Sequence, residues 1–191
     1  MISVAMTTYN GERYLREQID SILNQTYSDF ELIICDDSST DKTKDILLEY
    51  SKKDLRIKLL FNNHNLGFKK NFEKAILHCS GEYIALSDQD DIWFPNHLEF
   101  LLNNLQNKSL SGANAILIDS EGKDLNKTLN EVDNFNFLPP GSQFLSRVLF
   151  SSGPIQGASM LMPRDFVCKC LPIPESVNFH DSWFLACALV N

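Results

Sequence analysis

This sequence predicts an α/β fold built on a mostly parallel sheet with helices on both faces. Three observations carry that expectation. The first half alternates short apolar runs with segments whose apolar residues recur at helical spacing. Each of the first four apolar runs leads into a polar stretch. With 191 residues, 43% hydrophobic and 22% charged, the chain suits one domain that buries a core without disulfide or metal staples.

The elements follow in order. Ile2–Thr8 reads as a buried strand ending in small polar residues. Leu15, Ile19, Ile22 and Leu23 then share one helical face. Phe30–Cys35 is a second strand, ending at Asp36 and Asp37. Ser39, Thr40 and Asp41 offer N-caps to a helix running to Lys53, with Ile46, Leu47 and Tyr50 inward. Arg56–Phe61 is a third strand, leading into the polar residues Asn62–Asn65. Gly67 opens a helix carrying Phe68, Phe72, Ala75, Ile76 and Cys79 on one face. Glu82–Leu86 is a fourth strand, and Ser87-Asp88-Gln89-Asp90-Asp91 follows it. Pro95 suits the first turn of a helix with Leu98, Leu101, Leu102 and Leu105 inward. The second half is less regular. Ala113–Ile118 predicts a fifth strand, Asp119–Pro140 mostly loop, Ser142–Phe150 a helix and Gly157–Met162 another strand. Pro163 starts a short helix, residues 172–179 form a loop, and His180–Val190 is an apolar helix.

Composition narrows the chemistry. A formal net charge of -8 and a pI near 4.9 disfavour nucleic acid as a partner. An acidic protein that binds a diphosphate must neutralise it locally, with a cation, placed Lys or Arg, or helix N-termini. Five cysteines without regular spacing argue against a disulfide framework. Cys35 and Cys79 read as buried thiols, and Cys168-x-Cys170 lacks the second Cys/His pair of a zinc site. A reducing compartment fits this usage. The N-terminus has no signal-peptide pattern, and no apolar run approaches the ~20 residues a bilayer span needs.

In such a sheet, ligands bind beyond the carboxyl ends of the strands, where the polar segments cluster. Asp88, Asp90 and Asp91 put three carboxylates in four residues, a repulsive arrangement unless a cation sits among them. All-oxygen ligands suit Mg²⁺ or Mn²⁺, and a solvated acidic turn is the bland alternative. Asp36-Asp37 is placed to accept an N–H from a base or hydroxyls from a ribose; helix capping is the alternative. Thr7-Thr8-Tyr9-Asn10 allows close ligand approach, with Tyr9 against a base or ribose face. Neither G-x-G-x-x-G nor G-x-x-x-x-G-K-[ST] occurs, which disfavours a dehydrogenase or P-loop ATPase. His180-Asp181-Ser182-Trp183-Phe184 places an acid at a helix N-terminus, where it is either a cap or a stabilised anion. The neighbouring aromatic pair is either an acceptor-binding wall or core.

These segments, in this order, resemble family 2 of the glycosyltransferases, which have the A-type (GT-A), Rossmann-like fold. Ser3–Gly11 looks like the family's opening strand and nucleotide loop. Ser21-Ile22-Leu23-Asn24-Gln25-Thr26-Tyr27, Phe30–Ile34 and Asp36–Asp41 are similar to its following signature. Asn65-Leu66-Gly67 with Lys70-Asn71, and Gly81–Leu86 into the acidic turn, match further segments. His180-Asp181-Ser182-Trp183 resembles the subgroup that includes many bacterial rhamnosyltransferases, although the residue before the Asp is usually Glu.

The resemblance implies roles. Thr7, Tyr9 and Asp37 hold the nucleotide, Asp37 on its base. Lys70 and Asn71, where the family often has Arg-Asn, contact the donor. Asp88 and Asp90 form the D-x-D pair, with Asp90 facing an Mg or Mn ion, and Asp181 is the catalytic base. The implied activity is inverting transfer of a sugar from a UDP or dTDP donor to the hydroxyl of a glycan or lipid-linked glycan, in building bacterial surface polysaccharide. Residues 1–191 are expected to form one catalytic domain. Residues 1–105 are its nucleotide-sugar half and 106–191 its acceptor half, the latter open to truncation at its C-terminus. The implied location is cytoplasmic, at the inner membrane face, with peripheral membrane association. Two alternatives stand beside this: a non-catalytic nucleotide-sugar-binding module, and a sugar-nucleotide pyrophosphorylase. The latter calls for a Gly-rich basic N-terminal loop, where this chain has only Gly11 and Arg13.

Overall fold

The computed structural model describes residues 1–132 and 155–190. The helix expected over Ser142–Phe150 lies outside the described residues. The strands are β1 (Ile2–Thr8), β2 (Phe30–Asp36), β3 (Ile57–Phe61) and β4 (Tyr83–Ser87), then β5 (Ser111–Gly112), β6 (Ile116–Ile118), β7 (Asp124–Thr128) and β8 (Met160–Pro163). The helices are α1 (Leu15–Leu23), α2 (Thr43–Lys53), α3 (Phe68–Leu77), α4 (His97–Leu105), α5 (Leu129–Val132), α6 (Arg164–Cys170) and α7 (His180–Val190).

The main sheet has the order β3-β2-β1-β4-β8-β5. β1 to β4 are parallel, as expected from the βαβ rhythm. β8 runs antiparallel to both β4 and β5. Successive strand residues point to opposite faces, so each central strand feeds two cores. Ile2, Val4, Met6, Leu32 and Ile34 pack with α1, α2 and α4 through Leu15, Ile19, Leu47 and Leu98. Ala5, Ile33, Ile84 and Leu86 pack with α3, α6 and α7 through Phe72, Ile76, Val167 and Phe184. Each such Leu, Ile or Phe contributes about 1.5–3 kcal/mol when fully buried. Glu31 is one of the charged residues inside, at 5% exposure. Burial pushes its carboxyl up, but Lys58, Ser3 and Ser80 outweigh that and hold it down at about 2.

Three elements differ from expectation. The strand predicted over Ala113–Ile118 is only Ile116–Ile118, in a separate ribbon with β7, where loop was expected. Both strands of this ribbon are largely exposed, so hydrophobic alternation could not announce them. Its turn is polar: Asp119 Oδ1 accepts from the N–H groups of Glu121 and Lys123. The strand predicted over Gly157–Met162 starts later, after a 3-10 turn at Gly157–Ser159. Helix α4 begins at His97, because the Pro95 carbonyl is used to accept from Thr26 N at 2.8 Å.

The topology creates one functional rim. Register pairs Met6 with Ser87 and Thr8 with Asp36, so β1, β2 and β4 finish at the same edge. β8 runs the other way, which brings its entry turn at Gly157 to that edge as well. Among the described residues, no helix is long and apolar enough to cross a membrane.

Candidate active site

The loops after β1 and β2 are laced together. Asn10 N donates to Ser39 Oγ at 2.9 Å, and Thr40 N donates to Asn10 Oδ1 at 2.8 Å. Asn10 adopts φ 50, a left-handed conformation that Asn tolerates better than most residues. Asp36 accepts from Thr8 Oγ1, Ser39 N and Ser39 Oγ, making it a loop organiser. Lys42, not one of the expected Ser39–Asp41, occupies the N-cap of α2, while Asp41 accepts from Thr43 N at 2.9 Å. Thr7 is buried at the end of β1, whereas Tyr9 stands 47% exposed at the rim.

Gln89, between the two acids of the D-x-D, has no role that its sequence position announces. Its Oε1 accepts from Tyr9 N at 2.9 Å, and its Nε2 donates to Tyr9 O at 3.1 Å. A Cβ at residue 11 would sit 2.2 Å from Gln89 Oε1, so any side chain there would displace the Gln89 amide. Only proximity in space reveals this link, because 80 residues separate the partners.

Asp37 lies at the rim, but its carboxylate is largely taken up. Oδ1 accepts from Asn62 Nδ2 at 2.7 Å and Leu66 N at 2.8 Å, and Oδ2 from Gly67 N at 2.9 Å. At 2% exposure, it pins the loop before α3 and leaves a ligand little direct access. Gly67 takes φ +80 there, the left-handed region that glycine enters without cost.

Asn71 corrects the expectation of a donor contact. It is 1% exposed, its Nδ2 donates to Cys35 O at 2.8 Å, and its Oδ1 accepts from Asn62 at 2.9 Å. Lys70, on the exposed side of α3, pairs with Glu73 at 2.8 Å. Neighbouring helix positions point about 100° apart, so one of the pair turns into the sheet and the other away.

The acidic turn and α7 meet in a cleft of about 480 Å³ lined by Asp88, Asp90, Asp91 and Asp181. Burial first, then Asp91, Asp90 and Asp181, pushes the Asp88 carboxyl up to about 7. Burial and Asp90 push Asp91 up to about 6. Among the described residues no Lys or Arg forms an ion pair with any of the four. Asp181 is held by backbone donors: Ser182 N at 2.6 Å and Gly157 N at 3.3 Å. Such uncompensated oxygen ligands fit a hard divalent cation. No preformed set of three or more acidic, His or Cys ligands occurs among the described residues. Two carboxylates completed by phosphate oxygens are what a Mg²⁺-type site commonly uses.

His180, also without a predicted role, is 6% exposed and stacks on Phe72 at 3.9 Å between centroids. Among the described residues neither ring nitrogen has a hydrogen-bond partner, and burial, opposed by Asp181, lowers the ring's pKa. A Cβ at Gly157 would lie 2.7 Å from its Nε2, so close contact with the β8 turn needs glycine. Trp183 and Phe184 resolve as core: Trp183 Nε1 donates to Cys170 O at 2.7 Å, and Phe184 is fully buried.

The motif around Ser21 acquires a physical reason. Ser21 Oγ accepts from Trp93 N at 3.0 Å, and Gln25 Nε2 donates to Phe94 O at 2.7 Å. Gln25 Oε1 accepts from Leu98 N at 2.9 Å. The end of α1 thus clamps the segment that follows the acidic turn.

Comparisons with known proteins bear on the family and the fold. The family described as glycosyl transferase family 2 matches residues 3–171. The Escherichia coli enzyme WfgD, a UDP-Glc:alpha-D-GlcNAc-diphosphoundecaprenol beta-1,3-glucosyltransferase, is 40% identical over 111 residues, covering 58% of this chain and 43% of its own. Among solved structures, Staphylococcus aureus TarS in complex with UDP-GlcNAc superposes with TM-score 0.66 at 20% identity, over 98% of this chain and 53% of that one. The mannosyltransferase PcManGT of Pyrobaculum calidifontis, in complex with GDP-Man and Mn²⁺, gives TM-score 0.66 at 17% identity, over 95% and 49%. The chain spans about half the length of these relatives or less.

Proposed function

The chain belongs to glycosyl transferase family 2, with the GT-A fold, and from that premise we propose that it transfers a sugar from a UDP donor to an acceptor hydroxyl with inversion. One observation carries the proposal: Asp88, Asp90, Asp91 and Asp181 share a single cleft at the carboxyl rim of the sheet. The UDP assignment draws on the uridine donors named for WfgD and TarS. Those names supply glucose and N-acetylglucosamine, and PcManGT mannose, so rhamnose is not carried forward.

The loop at Thr7–Asn10, held by Gln89, receives the nucleotide, with exposed Tyr9 against its ribose or base. Asp37 acts through the Asn62–Gly67 loop that it pins. Asp88 and Asp90 would hold Mg²⁺ or Mn²⁺, which supplies positive charge for the departing diphosphate. Asp181 accepts the proton of the attacking acceptor hydroxyl. Its two backbone hydrogen bonds aim the carboxylate before substrate arrives. A single base and a single displacement give inversion, as in one-step glycoside hydrolysis with an alcohol in place of water. A lipid-linked glycan is the acceptor class, by analogy with WfgD, and the cytoplasmic membrane face is where such an acceptor would be met.

The test is a thermal-shift screen of the full-length protein with UDP-Glc, UDP-GlcNAc and GDP-Man, with Mn²⁺ or EDTA, followed by a transfer assay. A selective rise with one uridine donor that needs Mn²⁺ is expected. No shift with any uridine donor, or full transfer in EDTA, overturns the scheme.

A further inference from the structure

A second cleft, of about 500 Å³, opens beside the acidic one and shares Asp90, Asp91 and Gln156 with it. That volume lies within the range of about 300–1,000 Å³ typical of ligand sites. We propose that this cleft, between the Ile92–Pro95 segment and the β6–β7 ribbon, binds an uncharged pyranose unit of the acceptor next to the reacting hydroxyl. The inference rests on the transfer reading above and names the substrate class on its acceptor side.

The walls are apolar and open. Phe94 is 60% exposed, Ile92 48%, Ile116 43% and Ile118 39%, and all four line the cleft. Pyranose rings present C–H faces that such side chains cover. One wall is built to keep its shape, because Ser21, Gln25 and Thr26 hold the backbone of Trp93, Phe94 and Pro95. Preorganisation of this kind lowers the ordering cost of binding.

The polar groups suit hydroxyls. Asn114, Gln156 and Ser159 join the lining. In the same wall, Trp93 Nε1 and His97 Nε2 are buried without a hydrogen-bond partner among the described residues. Unpaired buried nitrogens are uncommon in proteins, and two together mark a wall short of polar partners.

Charge decides the class. Asp90, Asp91 and Asp124 line the cleft, and among the described residues no Lys or Arg does so. A uronic acid or a phosphate would meet carboxylates with no compensating cation from the protein. A polyprenyl chain would desolvate the same carboxylates and the amides without repaying their lost water. A neutral polyol avoids both costs.

The experiment uses the protein with isoleucine methyl groups labelled for NMR. The probes are cellobiose, lactose and chitobiose, then a glucuronate-containing disaccharide of the same size, then undecaprenyl phosphate in detergent. At least one neutral disaccharide is expected to shift the Ile92, Ile116 and Ile118 methyls saturably, leaving core Ile76 unmoved. Phe94→Ala, at an exposed position, is expected to raise that Kd about fivefold with the melting temperature retained. Absence of shifts with every neutral sugar, equal binding of the glucuronate, or shifts with the polyprenyl phosphate alone overturns the proposal. A UDP–Mn²⁺ thermal shift of the same sample is read separately. Its absence sinks the transfer reading, while the methyl shifts still decide what the cleft binds.

Discussion

Gln89 holds the backbone of Tyr9 with both ends of its amide, accepting from Tyr9 N at 2.9 Å and donating to Tyr9 O at 3.1 Å. The acidic turn and the loop after β1 are therefore tied together. The residue between the two acids is a coupling element, facing away from the direction its neighbours take.

Removing that coupling should weaken nucleotide binding more than chemistry. Each hydrogen bond contributes about 0.5–1.5 kcal/mol, so Gln89→Ala is expected to raise the Kd for UDP with Mn²⁺ about tenfold. Gly11→Ala should act alike, by displacing the same amide. Calorimetric titration reads the effect, and unchanged affinity in both variants would show that the clamp does not govern the loop.

Asp181→Asn removes the proton acceptor but keeps the shape and the capping oxygen. Transfer should fall about a hundredfold to ten-thousandfold, as expected for loss of a general base. Nucleotide affinity and melting temperature should stay near native. Turnover close to the native rate would eliminate Asp181 as the base.

The acidic cleft makes stability depend on pH and on cation together. Asp88 titrates at about 7 and Asp91 at about 6 when folded. Unfolded aspartates titrate near ~3.9. Between about pH 4 and pH 7, the folded state keeps protons that the unfolded state has lost, so these groups subtract stability as pH rises. In EDTA, their contribution is worse at pH 8 than at pH 5.5, and the gain in melting temperature on adding Mn²⁺ should be larger at pH 8. Equal gains at the two pH values would contradict the cleft as the cation's site.

Lys70 and Asn71 should separate cleanly. Asn71→Ala takes one acceptor from Asn62 Nδ2 and leaves the Cys35 carbonyl without that side-chain donor, at a cost of about 2–3 kcal/mol in urea unfolding. Lys70→Ala breaks an exposed pair with Glu73 and should change stability by less than about 1 kcal/mol. If Lys70→Ala instead weakens donor binding sharply, the contact implied by family resemblance is real and the pair with Glu73 is only a resting position.

Much of the fold was legible because burial writes a period into the chain. β1, β2 and β4 are apolar on both faces, α1 and α3 show one apolar stripe, and their order implied parallel pairing. The β6–β7 ribbon escaped notice because exposed strands carry no such period. The direction of β8 was equally hidden, since an apolar run reads the same whether it pairs parallel or antiparallel.

By itself, the sequence determined the element order and the rim where the polar segments meet, and it nominated Asp88, Asp90 and Asp181 as candidate carboxylates there. Those follow from residue type and local spacing. Only the tertiary structure decided which polar groups are spent on the protein and which stay open to a ligand. Asp37 and Asn71 proved occupied by the Asn62–Gly67 loop and the β2 backbone, while Gln89 and His180 acquired places through partners distant in sequence. Hydrogen-bond capacity is consumed in space, so the identity of a side chain cannot reveal whether its lone pairs are still free.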